Sequence, residues 1–184
     1  MKEWIEDLYR LKETARAGWL RIGIEHPESV ADHSFATGLI AWRLAKREGL
    51  DETRVLLMAL LHDFHEARLG DIPSPDKRKM GKALVMDSER LTEAQQWAND
   101  PEIVEMLEDL RRGESPEARL VGAVDSLELL LQSKRYRNIG FEGAEDFIQS
   151  ILNSNSLEQH SAVTDLLREL DNKKNPPPKG EDRL

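Results

Sequence analysis

Apolar residues recur along this chain at helical spacing, and the pattern predicts helices almost throughout. Trp4, Ile5, Leu8 and Leu11 predict a first helix over about residues 2–15. The stretch from Arg16 to Ile24 holds two glycines and is followed by Pro27, so it reads as a loop. Ser29 is a good N-cap for a second helix, with Asp32 favouring its first turn by charge. That helix runs past Phe35, Leu39, Ile40 and Leu44 and stops near Gly49. Asp51 caps a third helix, predicted to reach Gly70. It contains the most apolar run, Val55 to Leu61, whose seven apolar residues leave no polar face. A helix that is apolar all round is a buried one.

Two prolines make residues 70–77 a predicted loop, and a charged helix follows over about 80–98. Asp100-Pro101 and Ser115-Pro116 each place proline just inside a helix start. The first of these helices closes at Gly113. The second carries Leu120, Val121, Val124, Leu127, Leu130 and Leu131, with Asp125 among them. Shorter helices are predicted near 143–153 and 156–171. Residues 172–184 are polar, contain three consecutive prolines, and are expected to be disordered. No strand and no repeat is apparent. The fold class is all-α, a bundle of about seven or eight helices forming one domain over 1–171.

Composition narrows the function. The 184 residues suit one domain, and 39% hydrophobic with 33% charged residues is a soluble globular balance. A net charge of −9 argues against a nucleic-acid polymer or an acidic membrane as partner, since both need a basic face. A small phosphorylated substrate stays open, because a metal ion supplies local positive charge. The chain has no cysteine, which removes disulfide and thiolate chemistry and fits a cytoplasmic home. There is no apolar signal segment at the start and no apolar run of the ~20 residues that span a bilayer.

His62 and Asp63 stand at the end of the apolar run, where ionisable groups need partners or a metal. On a continuous helix, His62, His65 and Glu66 share one face and Asp63 is turned away by roughly 100°. His33 upstream and Asp125 downstream complete two imidazoles and two carboxylates on three predicted helices, a donor set suited to a divalent cation. Each residue also has a plainer reading. His62–Asp63 could be an ion pair at a helix end, Asp125 the partner of a buried Arg or Lys, and His33 a satisfied core histidine. Likewise Trp19 could be a core anchor, Asp71 a loop cap and Glu66 a surface residue.

His33, His62-Asp63 and Asp125 match the His…His-Asp…Asp motif of the HD-domain superfamily of metal-dependent phosphohydrolases. The chain most resembles its 5′-deoxynucleotidase branch, the YfbR-like and HDDC-type proteins. The matching stretches are Arg16-x-Gly-Trp19, Pro27-Glu-Ser-Val-Ala-Asp-His33, His62-Asp-x-x-Glu66, Gly70-Asp-Ile72, and Val124-Asp125 through Leu131-Gln132 to Tyr136. Together they span about residues 10–140.

The resemblance implies an HD-domain helical fold and one divalent ion, cobalt, manganese or similar, on His33, His62, Asp63 and Asp125. It implies that Glu66 works on the attacking water, that Asp71 assists as acid or as orienting group, and that Trp19 contacts the nucleoside. Gly18 stands where the bacterial branch has arginine before the tryptophan, so Arg16 is the candidate to bind phosphate. His65 stands where relatives commonly carry small residues. The expected activity is release of phosphate from deoxyribonucleoside 5′-monophosphates, by a homodimer. The alternatives are a phosphohydrolase for another nucleotide and a non-catalytic, metal-stabilised module that senses a nucleotide or binds a partner.

Overall fold

The structure is a computed structural model that describes residues 2–174. Eleven α-helices and one 3₁₀ turn follow one another among those residues. The only β pairing among them is an isolated antiparallel bridge between Ala15 and Ser29. The all-α expectation holds.

Helix α9 (Pro116–Asn138) is the axis of the core. Ser115 accepts the amide N–H of Ala118 at its start, and Pro116 sits where no donor is needed. Leu120, Val121, Val124, Leu127 and Leu130 are buried along it. Helices α3 (Val30–Glu48) and α4 (Glu52–Leu61) pack on one another and on α9, with Ala41, Leu44 and Ala45 meeting Val55, Met58 and Ala59. The start of α3 is a reciprocal cap. The Ser29 hydroxyl accepts Asp32 N–H at 3.1 Å, and Asp32 accepts Ser29 N–H at 2.9 Å. Helix α8 (Pro101–Arg112), α10 (Ala144–Leu152), the 3₁₀ turn (Ser156–Gln159) and α11 (Ser161–Lys174) close around α9.

The structure departs from the predicted elements in five places. The helix expected from Asp51 to Gly70 breaks after Leu61. Residues 62–65 form tight turns, with Phe64 N–H donating to Leu61 O and Glu66 N–H to Asp63 O, and α5 is only Glu66–Leu69. The apolar run is not buried all round, because Leu57 and Leu60 are exposed beside Phe35 (66% exposed) and Leu39 (50%) of α3. The stretch after α1 (Glu3–Glu13) contains a short helix, α2 (Ala17–Arg21). Residues 74–77, read as loop, open α6 (Ser74–Met80), since proline is tolerated in a first helical turn. Gly81, at φ 96°, separates α6 from α7 (Lys82–Gln96). Finally, α11 runs past 171 to Lys174. The disordered tail expected over 172–184 lies, from 175 on, outside the described residues.

A candidate metal and phosphate site

The break after α4 builds the site. On an unbroken helix His62 and Asp63 would point about 100° apart. The turn instead aims both at His33 of α3 and Asp125 of α9. His33 Nε2 lies 3.0 Å from Asp125 Oδ1 and 4.0 Å from Asp63 Oδ2. His62 Nε2 lies 3.1 Å from Asp63 Oδ2 and 3.8 Å from Asp125 Oδ1. His33, His62 and Asp63 have donor atoms within 4.8 Å of one another, and Asp125 approaches both imidazoles from α9, so donor groups from three elements face one centre.

The outward-facing nitrogens decide what the inward ones can do. His62 Nδ1–H donates to the Ala59 carbonyl at 2.8 Å, and His33 Nδ1–H to Glu128 at 2.6 Å. With Nδ1 protonated, Nε2 is free to present a lone pair inward. His62 Nε2 is buried without a hydrogen-bond partner, facing carboxylate oxygens that are themselves acceptors. Acceptors aimed at acceptors call for a cation, and two imidazoles with two carboxylates fit a divalent one.

The charges agree. Burial opposes a charged Asp63, but His62, Arg16 and His33 outweigh it and hold the carboxyl well below its usual range. Burial also opposes charge on His33, yet its bonds to Asp125 and Glu128 lift its pKa to about 10. Glu66 is buried beside this centre, its carboxylate oxygen within 4.8 Å of one from Asp63. Burial first, then repulsion from Asp63 and Asp71, raises its pKa to about 10.

A cavity of about 550 Å³ opens over the centre. Asp63, Glu66, Asp71 and Asp125 line its polar end with Arg16, whose Nη1 lies 3.2 Å from Asp63 Oδ2. Asp71 accepts the first amide N–H of α2, from Ala17, at 2.6 Å. Ile22, Leu129 and Phe147 line an apolar wall.

The HD domain family profile matches residues 8–169. The chain belongs to the HD domain family. This HD domain is 31% identical to the 5′-deoxynucleotidase hdd1 of Schizosaccharomyces pombe over 174 residues, covering 91% of this chain and 86% of the relative. It is 28% identical to the mouse 5′-deoxynucleotidase HDDC2, covering 90% of this chain and 84% of that one. Among solved structures, the PH0347 protein from Pyrococcus horikoshii OT3 superposes with a TM-score of 0.78 at 31% identity, covering 92% and 98% of the two chains.

One expectation about the HD domain's site needs correction. Trp19 does not offer an open indole face. It is 1% exposed, packed against Tyr136 and Phe147 at 4.9 and 4.6 Å between ring centres, and its N–H donates to Glu28 at 2.8 Å. It backs the cavity wall as a core anchor, because a buried indole needs one acceptor and finds it in Glu28. His65 lies between Glu89 and Glu93 of α7, with a ring nitrogen also within 4.8 Å of carboxylate oxygens of Asp63 and Glu66, and it lines a smaller cavity together with His62 and Asp63.

Sequence reasoning also overlooked Glu128, three residues after Asp125 on the same helix face. The i, i+3 spacing of two acids in an otherwise apolar stretch was the available signal.

Proposed function

We propose that this HD domain is a metal-dependent 5′-deoxynucleotidase, hydrolysing deoxyribonucleoside 5′-monophosphates to deoxyribonucleoside and phosphate. One observation carries the reading: Asp63 and Asp125, with the imidazoles of His62 and His33 beside them, line the polar end of a cavity whose other wall is apolar. Relatives named 5′-deoxynucleotidase, matched over about nine-tenths of this chain, support it.

The four residues would hold one divalent ion, cobalt, manganese or a similar metal. Bound there, it supplies Lewis-acid chemistry, neutralising phosphate charge and lowering the pKa of water. The rest falls to the chain. Arg16 faces the phosphate oxygens with a planar set of donors. With a cation on the neighbouring carboxylates offsetting the repulsion that raises its pKa, Glu66 would be ionised and would accept the proton of the attacking water as its oxygen bonds to phosphorus, then deliver that proton to O5′ as the P–O5′ bond breaks. Asp71 already accepts the Ala17 N–H, so its role is to hold the Arg16 segment and orient the water. Ile22, Leu129 and Phe147 take the nucleoside. A ribose 2′-hydroxyl against that wall loses its water without a partner, at a cost of about 1–3 kcal/mol.

We further assign the exposed apolar face of Phe35, Leu39, Leu57 and Leu60 to a homodimer contact, and the protein to the cytoplasm. The face spans two packed helices, the kind of contiguous patch that marks an interaction site.

The deciding experiment is phosphate release from a panel of deoxy, ribo, cyclic and polyphosphorylated nucleotides, with and without added divalent metal. Metal-dependent release with deoxy monophosphates preferred is the expected result. Equal rates for the two sugars, or no release from any monophosphate, would overturn the reading.

A further inference from the structure

The densest set of charges outside the four-residue centre lies behind the 62–65 turn, where α6 and α7 meet it. His65 is buried there, with Nδ1 3.3 Å from Glu93 and Nε2 3.7 Å from Glu89. Arg111 of α8 grips Glu93 at 2.7 Å. Lys77 Nζ lies 2.8 Å from Glu89 Oε1. Two carboxylates thus face Lys77, Arg111 and the His65 imidazole.

Lys77 is different from its neighbours. It lines both the cavity over the catalytic centre and a smaller one of about 240 Å³, to which His62, Asp63 and Asp125 also contribute. Its side chain keeps 33% of its exposure. Its charge acts on Glu66 and Asp63 as well as on Glu89. We propose that Lys77 is a second phosphate-binding residue of this cavity, acting with Arg16, and that Glu89 is the positioning residue that holds it. The proposal deepens, and rests on, the deoxynucleotidase reading.

Counting donors leads to the same residue. A phosphate monoester presents three terminal oxygens, and Arg16 already shares its guanidinium with Asp63 at 3.2 Å. Of the remaining cations on this cavity, Arg21 is paired with Asp76, and Arg78 is exposed at the rim. Lys77 has three N–H donors. Glu89 takes one, which leaves two for a ligand and fixes the direction in which they point. In a chain of net charge −9, an inward cation held this way also offsets the repulsion that Asp63, Glu66 and Asp71 exert on an arriving dianion.

The test uses the metal-loaded protein and two readouts, calorimetric binding of inorganic phosphate and steady-state hydrolysis of deoxyadenosine monophosphate. Lys77→Met should weaken phosphate binding and raise KM by roughly tenfold to a hundredfold, with metal content unchanged. Lys77→Arg should recover most of the loss. Glu89→Gln should weaken phosphate binding in the unmodified background and have no further effect beside Lys77→Met.

Phosphate affinity of Lys77→Met within about twofold of the unmodified protein overturns the proposal. An undiminished Glu89→Gln effect in the Lys77→Met background overturns the positioning role, since Glu89 would then act through His65. If the unmodified protein binds phosphate through Lys77 yet hydrolyses no monophosphate, the phosphate site stands and the deoxynucleotidase reading falls. Hydrolysis unaffected by Lys77→Met gives the reverse.

Discussion

Glu128 is the most informative residue to change, because it touches the proposed metal centre only through His33. Its Oε2 accepts the His33 Nδ1 proton at 2.6 Å, in a pocket where both side chains are buried. That bond fixes the ring's tautomer and makes Nε2 a better electron donor. Glu128→Gln keeps the shape and an acceptor oxygen but removes the charge. A hydrogen bond to a charged group contributes about 1.5–3 kcal/mol and a neutral one about 0.5–1.5. The difference, about 1 kcal/mol or more, corresponds to a loss of roughly fivefold to tenfold in metal affinity. Glu128→Ala removes the bond altogether and leaves Nδ1–H buried and unpaired, so the loss should reach about 10–100-fold. Metal competition titration measures the affinity, circular dichroism checks the fold, and turnover at saturating metal separates binding from chemistry. Affinity should fall in the order Glu, Gln, Ala, while turnover with the site filled changes less. A folded Glu128→Ala protein that binds metal as tightly as the unmodified one would refute the assignment of His33 as a ligand held from behind.

Three further outcomes follow from the same geometry. Glu66→Gln should keep its metal and its melting temperature while turnover falls about 10²–10⁴-fold, as read by phosphate release and metal analysis. Without metal, stability should decline as pH rises. His33 is raised from 6.5 to about 10, His65 from 6.5 to about 9 and Glu66 from 4.5 to about 10. The folded state therefore binds more protons than the unfolded one over that range. The histidine contributions are complete below pH 6.5 and lost as pH climbs through 9 to 10. Melting scans in chelator across pH 6–10 check this, and a rising or flat profile would contradict it. Gly143→Ala would set a methyl 2.8 Å from Ile22 Cγ2, so it should cost about 1–3 kcal/mol, displace the apolar wall and raise KM with metal affinity unchanged.

The long helices were legible because their signals are local and redundant. For α3 the cap residue, the apolar period and the terminating Gly49 all agree, for α9 the cap residue and the apolar run agree, and the structure adds only that Asp32 completes the Ser29 cap reciprocally. The break at His62 was not legible. An apolar run followed by His-Asp-Phe-His-Glu has helical propensity throughout, and what ends the helix is tertiary. His62 Nδ1–H bonds back to Ala59 O, while Asp63 pairs with Arg16 and His65 lies between Glu89 and Glu93 of α7. Motif spacing named His33, His62, Asp63 and Asp125, and the fold brings them together. Spacing could not say which way Trp19 faces, because indole burial depends on Tyr136 and Phe147 from far along the chain. Lys77 was hidden by Pro73 and Pro75, which read as loop although a helix accepts proline in its first turn.

The single bridge between Ala15 and Ser29 has an evolutionary consequence. Arg16 N–H bonds to Glu28 O, and Val30 N–H to Thr14 O, so the excursion that carries Arg16, Trp19 and Ile22 leaves and rejoins the bundle at one point. The ion-holding side chains belong to α3, the turn after α4, and α9, none of which lies within that excursion. A lineage can therefore lengthen, shorten or resurface residues 17–27 between two pinned ends while the four donor groups keep their places. The part of the cavity wall that Ile22 supplies can thus vary while Leu129 and Phe147, outside the excursion, stay in place.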